Sequence, residues 1–127
     1  MLTDIKKAAA SGILISIGGC VLLASTKSGM MWAGAVLFSL GLFAICEYGF
    51  NLYTGKVGYI AEHFKDFKYI RLVLLILVVN LLTTFIMGIL VSFCLPEIAE
   101  SARASYASKL AADPKKWVLS SILCGLL

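Results

Sequence analysis

A chain of 127 residues in which 61% are hydrophobic and only 14% charged, with a mean hydropathy of +0.97, lies far from the roughly 25% charge of soluble domains and excludes an ordinary water-soluble monomer. The net charge of +4 does not point to nucleic acid, because the basic residues form no patch interleaved with aromatics. They fall between apolar stretches instead: residues 8–26, 28–46 and 72–96 are uncharged runs of 19, 19 and 25 residues, each long enough to cross a bilayer as helix.

A removable signal peptide has a single apolar core of about 7 to 15 residues, so three longer runs in succession predict one polytopic integral membrane domain over residues 1–127. The first predicted helix covers about residues 7–25 and carries Ser11, Gly12, Ser16, Gly18 and Gly19, small residues at three- and four-residue steps that let helix backbones approach closely in lipid. A short turn over residues 25–29 follows. The second helix opens at Met30, with Trp32 near the interface. Gly34, Phe38 and Gly41 then share a face, and Leu42 lies beside it one turn from Phe38. A packing stripe with Phe38 seated between glycines and a pore-lining stripe both fit this spacing.

Residues 47–56, Glu-Tyr-Gly-Phe-Asn-Leu-Tyr-Thr-Gly-Lys, predict a break. Gly49 and Gly55 each weaken helix by about 1 kcal/mol relative to alanine, and Asn51 and Thr54 offer side-chain hydrogen bonds that compete with the backbone ladder. Irregular backbone at membrane depth is tolerated only when buried in protein or lining a wet cavity, and it marks binding sites in transporters; a cytoplasmic loop is the plain alternative. Glu47 is an acid at the edge of a membrane segment, with Lys56 across the same loop as its expected ion-pair partner. A short amphipathic helix is expected next, with Val57, Ile60, Ala61, Phe64 and Phe67 opposed to Glu62, His63, Lys65 and Asp66. His63, the one histidine, reads as a solvated surface residue.

Residues 72–95 form the cleanest span, with Asn80, Thr83 and Thr84 near the middle, where polar side chains usually bond a neighbouring helix. Pro96 ends it. An alanine- and serine-rich surface helix is expected over residues 97–112, and Asp113 followed by Pro114 reads as a capping residue and a first-turn proline opening another helix. Lys115, Lys116 and Trp117 make an interfacial collar. Counted from Trp117, only 11 uncharged residues remain, which predicts that the chain stops inside a fourth span. Lysines and arginines before the first run and in residues 56–71 place the amino terminus and that connection in the cytoplasm, and residues 97–116 outside. Cys20, Cys46, Cys94 and Cys124 are widely spaced within apolar runs, with neither zinc-site nor redox spacing.

Phe38-Ser-Leu-Gly-Leu followed ten residues later by Leu52-Tyr-Thr-Gly-Lys resembles the second helix of the formate/nitrite transporter family. A second match joins Lys109 to Ile122-Leu123-Cys124, at the interval that separates a lysine from the fourth-helix motif in that family. The resemblance spans nearly the whole chain and the first half of a family member. It implies an all-α, aquaporin-like inverted-repeat channel, with this chain as the first repeat and the start of a fourth helix. It also implies assembly as a homopentamer in the plasma membrane, with transport of small monovalent weak-acid anions (formate, nitrite or hydrosulfide). Phe38 would match the outer constriction, with Leu42 and Leu52 near the inner one, and Tyr53 would also line the pore constriction. Glu47, Asn51, Thr54, Gly55 and Lys56 would form the broken-helix loop, with Thr54 as the threonine that hydrogen-bonds a central histidine. Lys109 would attract anions at the outer mouth. The sequence departs from the family pattern at Tyr53, Lys56 and Gly125, and the family's histidine belongs to the other half. No enzyme, cofactor or metal is expected, since no nucleophile–base set, metal cluster or phosphate loop is present. The expected partners are small anions and the bilayer, without nucleic acid. A non-transporting structural or regulatory membrane subunit is the alternative.

Overall fold

The computed structural model describes the backbone of residues 1–126 and the side chains of residues 1–122. Among the described residues all regular structure is helical: α1 Leu2–Lys27, α2 Met31–Glu47, α3 Tyr53–Val57, a 3-10 turn Gly58–Ile60, α4 Phe67–Cys94, α5 Pro96–Leu110 and α6 Pro114–Leu126. With 26 and 28 residues, α1 and α4 are long and apolar enough to cross a membrane. α2 falls short of the uninterrupted span its composition allows. Its 17 residues rise only about 25 Å at 1.5 Å per residue, against a hydrocarbon core of about 30 Å.

Glycines end the first two helices. At the close of α1, Gly29 takes the left-handed φ of 76°, and the amides of Gly29 and Met30 return to the carbonyls of Thr26 and Ser25. Gly49, φ 59°, does the same for α2, with the Phe50 amide donating to Ile45 O at 2.9 Å. Both ends are Schellman closures, in which a residue without Cβ satisfies the last carbonyls of a helix. The unwound stretch after α2 is therefore Tyr48 to Leu52, shorter than expected, because Tyr53, Thr54 and Gly55 already belong to α3.

The amphipathic helix expected over residues 57–67 does not form. α3 starts earlier and ends at Val57, and a 3-10 turn and bends lead to α4. The reason lies in Asp66, whose Oδ1 accepts the amides of Lys68 at 2.9 Å and Tyr69 at 3.4 Å. That carboxylate caps the next helix, so Glu62, His63 and Lys65 are left in the approach to it. His63 stacks on Tyr69 with ring centroids 4.5 Å apart. Pro96 at the first position of α5 and Asp113 accepting the Lys115 amide at 3.1 Å ahead of Pro114 give the helix starts expected there.

α1 is the central element, with α2 on one side and α4 on another. A Cβ added at Gly18 would meet Phe38, one at Gly34 would meet Leu22 and Ser25, and one at Gly41 the Leu14 carbonyl; these pairings run in opposite directions, so α1 and α2 are antiparallel. Ala8 meets Asn80, Gly12 meets Thr83, and Lys27 pairs with Glu97, so α1 and α4 run parallel. Ala8, Ile45, Val73 and Ile76 make the buried apolar core. Small residues thus set the helix spacing, as expected, although Gly19 meets nothing.

Candidate functional site: the clamped helix break

A break in a helix leaves backbone donors and acceptors without their ladder partners, and inside an apolar bundle these must be bonded by side chains. Three residues from three elements do this here. Ser11 on α1 is fully buried, Asn51 in the break is 7% exposed and Asn80 on α4 is 8% exposed. The Ser11 hydroxyl lies 2.8 Å from both Asn51 O and Ala8 O; with one proton, it serves one carbonyl at a time. Asn80 Nδ2 donates to Ala8 O at 2.7 Å, to Ser11 Oγ at 3.1 Å and more weakly to Asn51 O at 3.3 Å.

The other end of the Asn80 amide does different work. Leu52, at the N-cap of α3 with φ −95° and ψ 131°, has no side-chain acceptor to offer the first turn. Asn80 Oδ1 supplies it from another helix, accepting the Tyr53 amide at 3.0 Å. Asn51 Nδ2 reaches Asp4 Oδ1 at 3.4 Å. Among the described residues no buried side-chain nitrogen or oxygen lacks a partner. An unbonded buried carbonyl or amide costs about 1–3 kcal/mol, so these contacts are what allow the chain to unwind at this place.

The clamp reaches into the apolar part of the bundle. Ser11 is 3 residues past Ala8, the start of the first uncharged run, and Asn80 is 8 residues past Leu72. Asp4, which Asn51 reaches, precedes the first run, so the clamp spans from the charged amino end of α1 into the uncharged run of α4.

The structure brings only part of the expected set to this place. Asn51, Leu52 and Tyr53 are in it, and Leu52 and Tyr53 are half-buried. Glu47, Thr54 and Gly55 are exposed. Lys56 is half-buried, and its carbonyl accepts the Tyr69 hydroxyl at 2.9 Å. The expected Glu47–Lys56 ion pair is absent; among the described residues the ion pairs are Met1 ammonium with Asp4 and Lys27 with Glu97, at 2.9 and 3.0 Å. The helix turn intervening between the two residues is the reason, since Glu47 closes α2 while Lys56 sits inside α3.

Phe38 and Leu42 lie half-buried higher on α2, and Phe38 Cδ2 stands 2.7 Å from where a Gly18 Cβ would be. The packing half of the earlier alternative is thereby seen directly. Lys109 is exposed near the end of α5, the helix joined to α1 by the Lys27–Glu97 pair at the end remote from the break; its carbonyl accepts the Trp117 indole N–H at 2.6 Å. Of the second family-like motif, Ile122 is on α6, while Leu123, Cys124 and Gly125 lie outside the described side chains. The open clefts at Leu81, Phe85 and Gly88 and at Ser92, Glu97 and Arg103 hold none of the constriction residues.

Sequence reasoning named Asn80 as a helix-bonding amide but not its target, and took Ser11 for a spacer. The usable signal was a lone amide in a run of Leu, Val and Ile. Among the described residues no group of three His, Cys, Asp or Glu is placed to hold a metal ion. Cys20 is half-buried, and Cys46 and Cys94 are exposed.

Compared with protein-family models, with curated proteins and with solved structures, the chain matches none. What the fold itself defines is an all-helical chain with two helices long and apolar enough to cross a membrane.

Proposed function

We propose that this chain supplies one three-span repeat of a plasma-membrane channel for small monovalent weak-acid anions, of the kind represented by formate, nitrite or hydrosulfide, with an aquaporin-like inverted-repeat architecture and pentameric assembly. The amino terminus faces the cytoplasm. The observation that carries this reading is the unwound segment ending at Leu52, clamped by Ser11 and Asn80 from two helices long and apolar enough to cross a membrane. Broken backbone held among such helices is a cost that membrane proteins accept where a substrate path runs. Exposed apolar side chains along α4, Phe85 and Phe93 among them, support a bilayer setting.

In this reading Leu52 and Tyr53, at the break, and Phe38 and Leu42, higher on α2, narrow the path. A bare anion entering such an apolar ring loses most of its hydration at a cost of many kcal/mol, whereas the neutral acid passes more cheaply. Lys109 raises the local anion concentration at the far mouth by attraction. Thr54 is exposed on the described unit, open to a proton donor from an opposing repeat.

The alternative, a non-transporting structural or regulatory membrane subunit, rests on the seating of Phe38 against Gly18, which gives that ring a packing role. Uptake into proteoliposomes separates the two. Protein expressed from its whole reading frame is expected to carry formate, nitrite or hydrosulfide faster at lower pH. Flux equal to that of protein-free vesicles for all three would favour the subunit.

A further inference from the structure

We infer that Asn80 is a positioning residue for the inner constriction: it fixes where Leu52 stands in the conduit without touching the permeant anion. The inference rests on the channel reading and adds a residue outside the family-like motifs.

Leu52 is the residue between two held peptide groups. On its amino side the Asn51 carbonyl is bonded by Ser11 at 2.8 Å and by Asn80 Nδ2 at 3.3 Å; on its carboxyl side the Tyr53 amide is bonded to Asn80 Oδ1 at 3.0 Å. One side chain therefore contacts the backbone before and after Leu52, as donor to one peptide group and acceptor from the other. A side-chain amide does this with two separate atoms, which an ionised carboxylate or an ammonium cannot. Its orientation is fixed as well, because Nδ2 also donates to Ala8 O at 2.7 Å and a flipped amide would set oxygen against that carbonyl.

No neighbouring polar group on α4 is free to substitute. Thr83 and Thr84 donate to the carbonyls of Val79 and Asn80 in their own helix. Ser11 reaches the Asn51 side alone. Removal of the Asn80 amide thus releases the Tyr53 N–H and leaves the break attached at one end, while the apolar packing of Val73 and Ile76 on the same helix is untouched. Interhelical hydrogen bonds in membrane proteins are individually modest, so replacement of Asn80 loosens the break without dispersing the bundle.

The test uses protein expressed from its whole reading frame in which Cys20, Cys46, Cys94, Cys124 and every other native cysteine are alanine and Leu52 is cysteine, reconstituted in liposomes. The rate of labelling by a small methanethiosulfonate reagent reports how firmly position 52 is held. Asn80→Ala is expected to raise that rate tenfold or more. Asn80→Asp, which keeps an acceptor for the Tyr53 amide but sets oxygen against the Ala8 and Asn51 carbonyls, is expected to raise it as well. A parallel measurement in protein retaining Leu52 is expected to show the acetate-to-formate flux ratio rising in both variants. Labelling unchanged from the Asn80 parent in both would overturn the inference, and if Asn80→Ala fails to assemble, Asn80→Asp decides alone by the same criterion. Absence of anion flux in the wild-type protein counts against the channel reading, whereas the labelling series judges the hold of Asn80 on Leu52 separately.

Discussion

Close contact between α1 and its neighbours depends at particular residues on a missing side chain. A Cβ at Gly34 would stand 2.6 Å from Ser25 Cβ and 3.1 Å from Leu22 Cα, and the second of these is backbone, which cannot turn aside. Gly34→Ala should therefore separate α1 from α2 and cost about 1–3 kcal/mol, the usual range for overpacking. Gly19, on α1, faces open space. Gly19→Ala should be neutral or stabilising by up to about 1 kcal/mol through helix propensity. Unfolding of both variants in mixed micelles measures the difference, and equal effects would mean that α1 and α2 are not in this contact. The polar residues follow a comparable logic, since the Ser11 hydroxyl stands within reach of two carbonyls and the Asn80 amide bonds backbone groups on both sides of Leu52. Their combined worth to stability is modest, with an interhelical hydrogen bond in a bilayer averaging about 0.6 kcal/mol. Their larger effect is on geometry, since they say where the chain unwinds.

Among the elements, the end of α2 matters most. Gly49 adopts φ 59°, a conformation that costs a residue with Cβ about 1–2 kcal/mol, and with it goes the return of the Phe50 amide to Ile45 O. Gly49→Ala should lower stability by about that amount, measurable as a lower Tm in micelles, with the loss absent in Gly49→Asn because asparagine tolerates the left-handed region better. Glycine, proline and aspartate made these boundaries legible in advance. Gly49 marked the end of α2, Pro96 divided α4 from α5, and Asp113 with Pro114 opened α6, because each acts on the two or three residues beside it. The stretch 57–67 was misread for a related reason: its apolar and polar residues alternate at helical spacing, yet Asp66 caps the following helix and Gly58 weakens the preceding one. Periodicity alone did not carry that local competition. Nor did it reveal partners far apart in the chain. The meeting of Asn80 with Ala8, Asn51 and Tyr53 depends on α1 and α4 running parallel in one particular register, and nothing in either run singles that register out. Of the candidate site, the break was readable and the clamp that holds it was not.

For the molecule as a whole, apolar surface and polar interior are exchanged relative to a soluble domain. Phe43, Phe85 and Phe93 stand outward while Ser11, Asn51 and Asn80 are enclosed, the arrangement expected where lipid is the solvent and backbone groups must be bonded within the protein. Among the described residues the ion pair between the ends of α1 and α5, exposed Lys27–Glu97, is worth no more than about 1 kcal/mol, so the helix packing around α1 carries the architecture. Everything proposed about transport stands on the break being enclosed by that packing. Amide hydrogen exchange of the protein in lipid nanodiscs tests this most directly, comparing the peptide that covers Phe50–Val57 with the bends at residues 61–66. Clamped backbone predicts that the Tyr53 amide, bonded to Asn80, exchanges at least a hundredfold more slowly than the amides of Ala61 and Glu62; exchange at the same rate in both segments would contradict it.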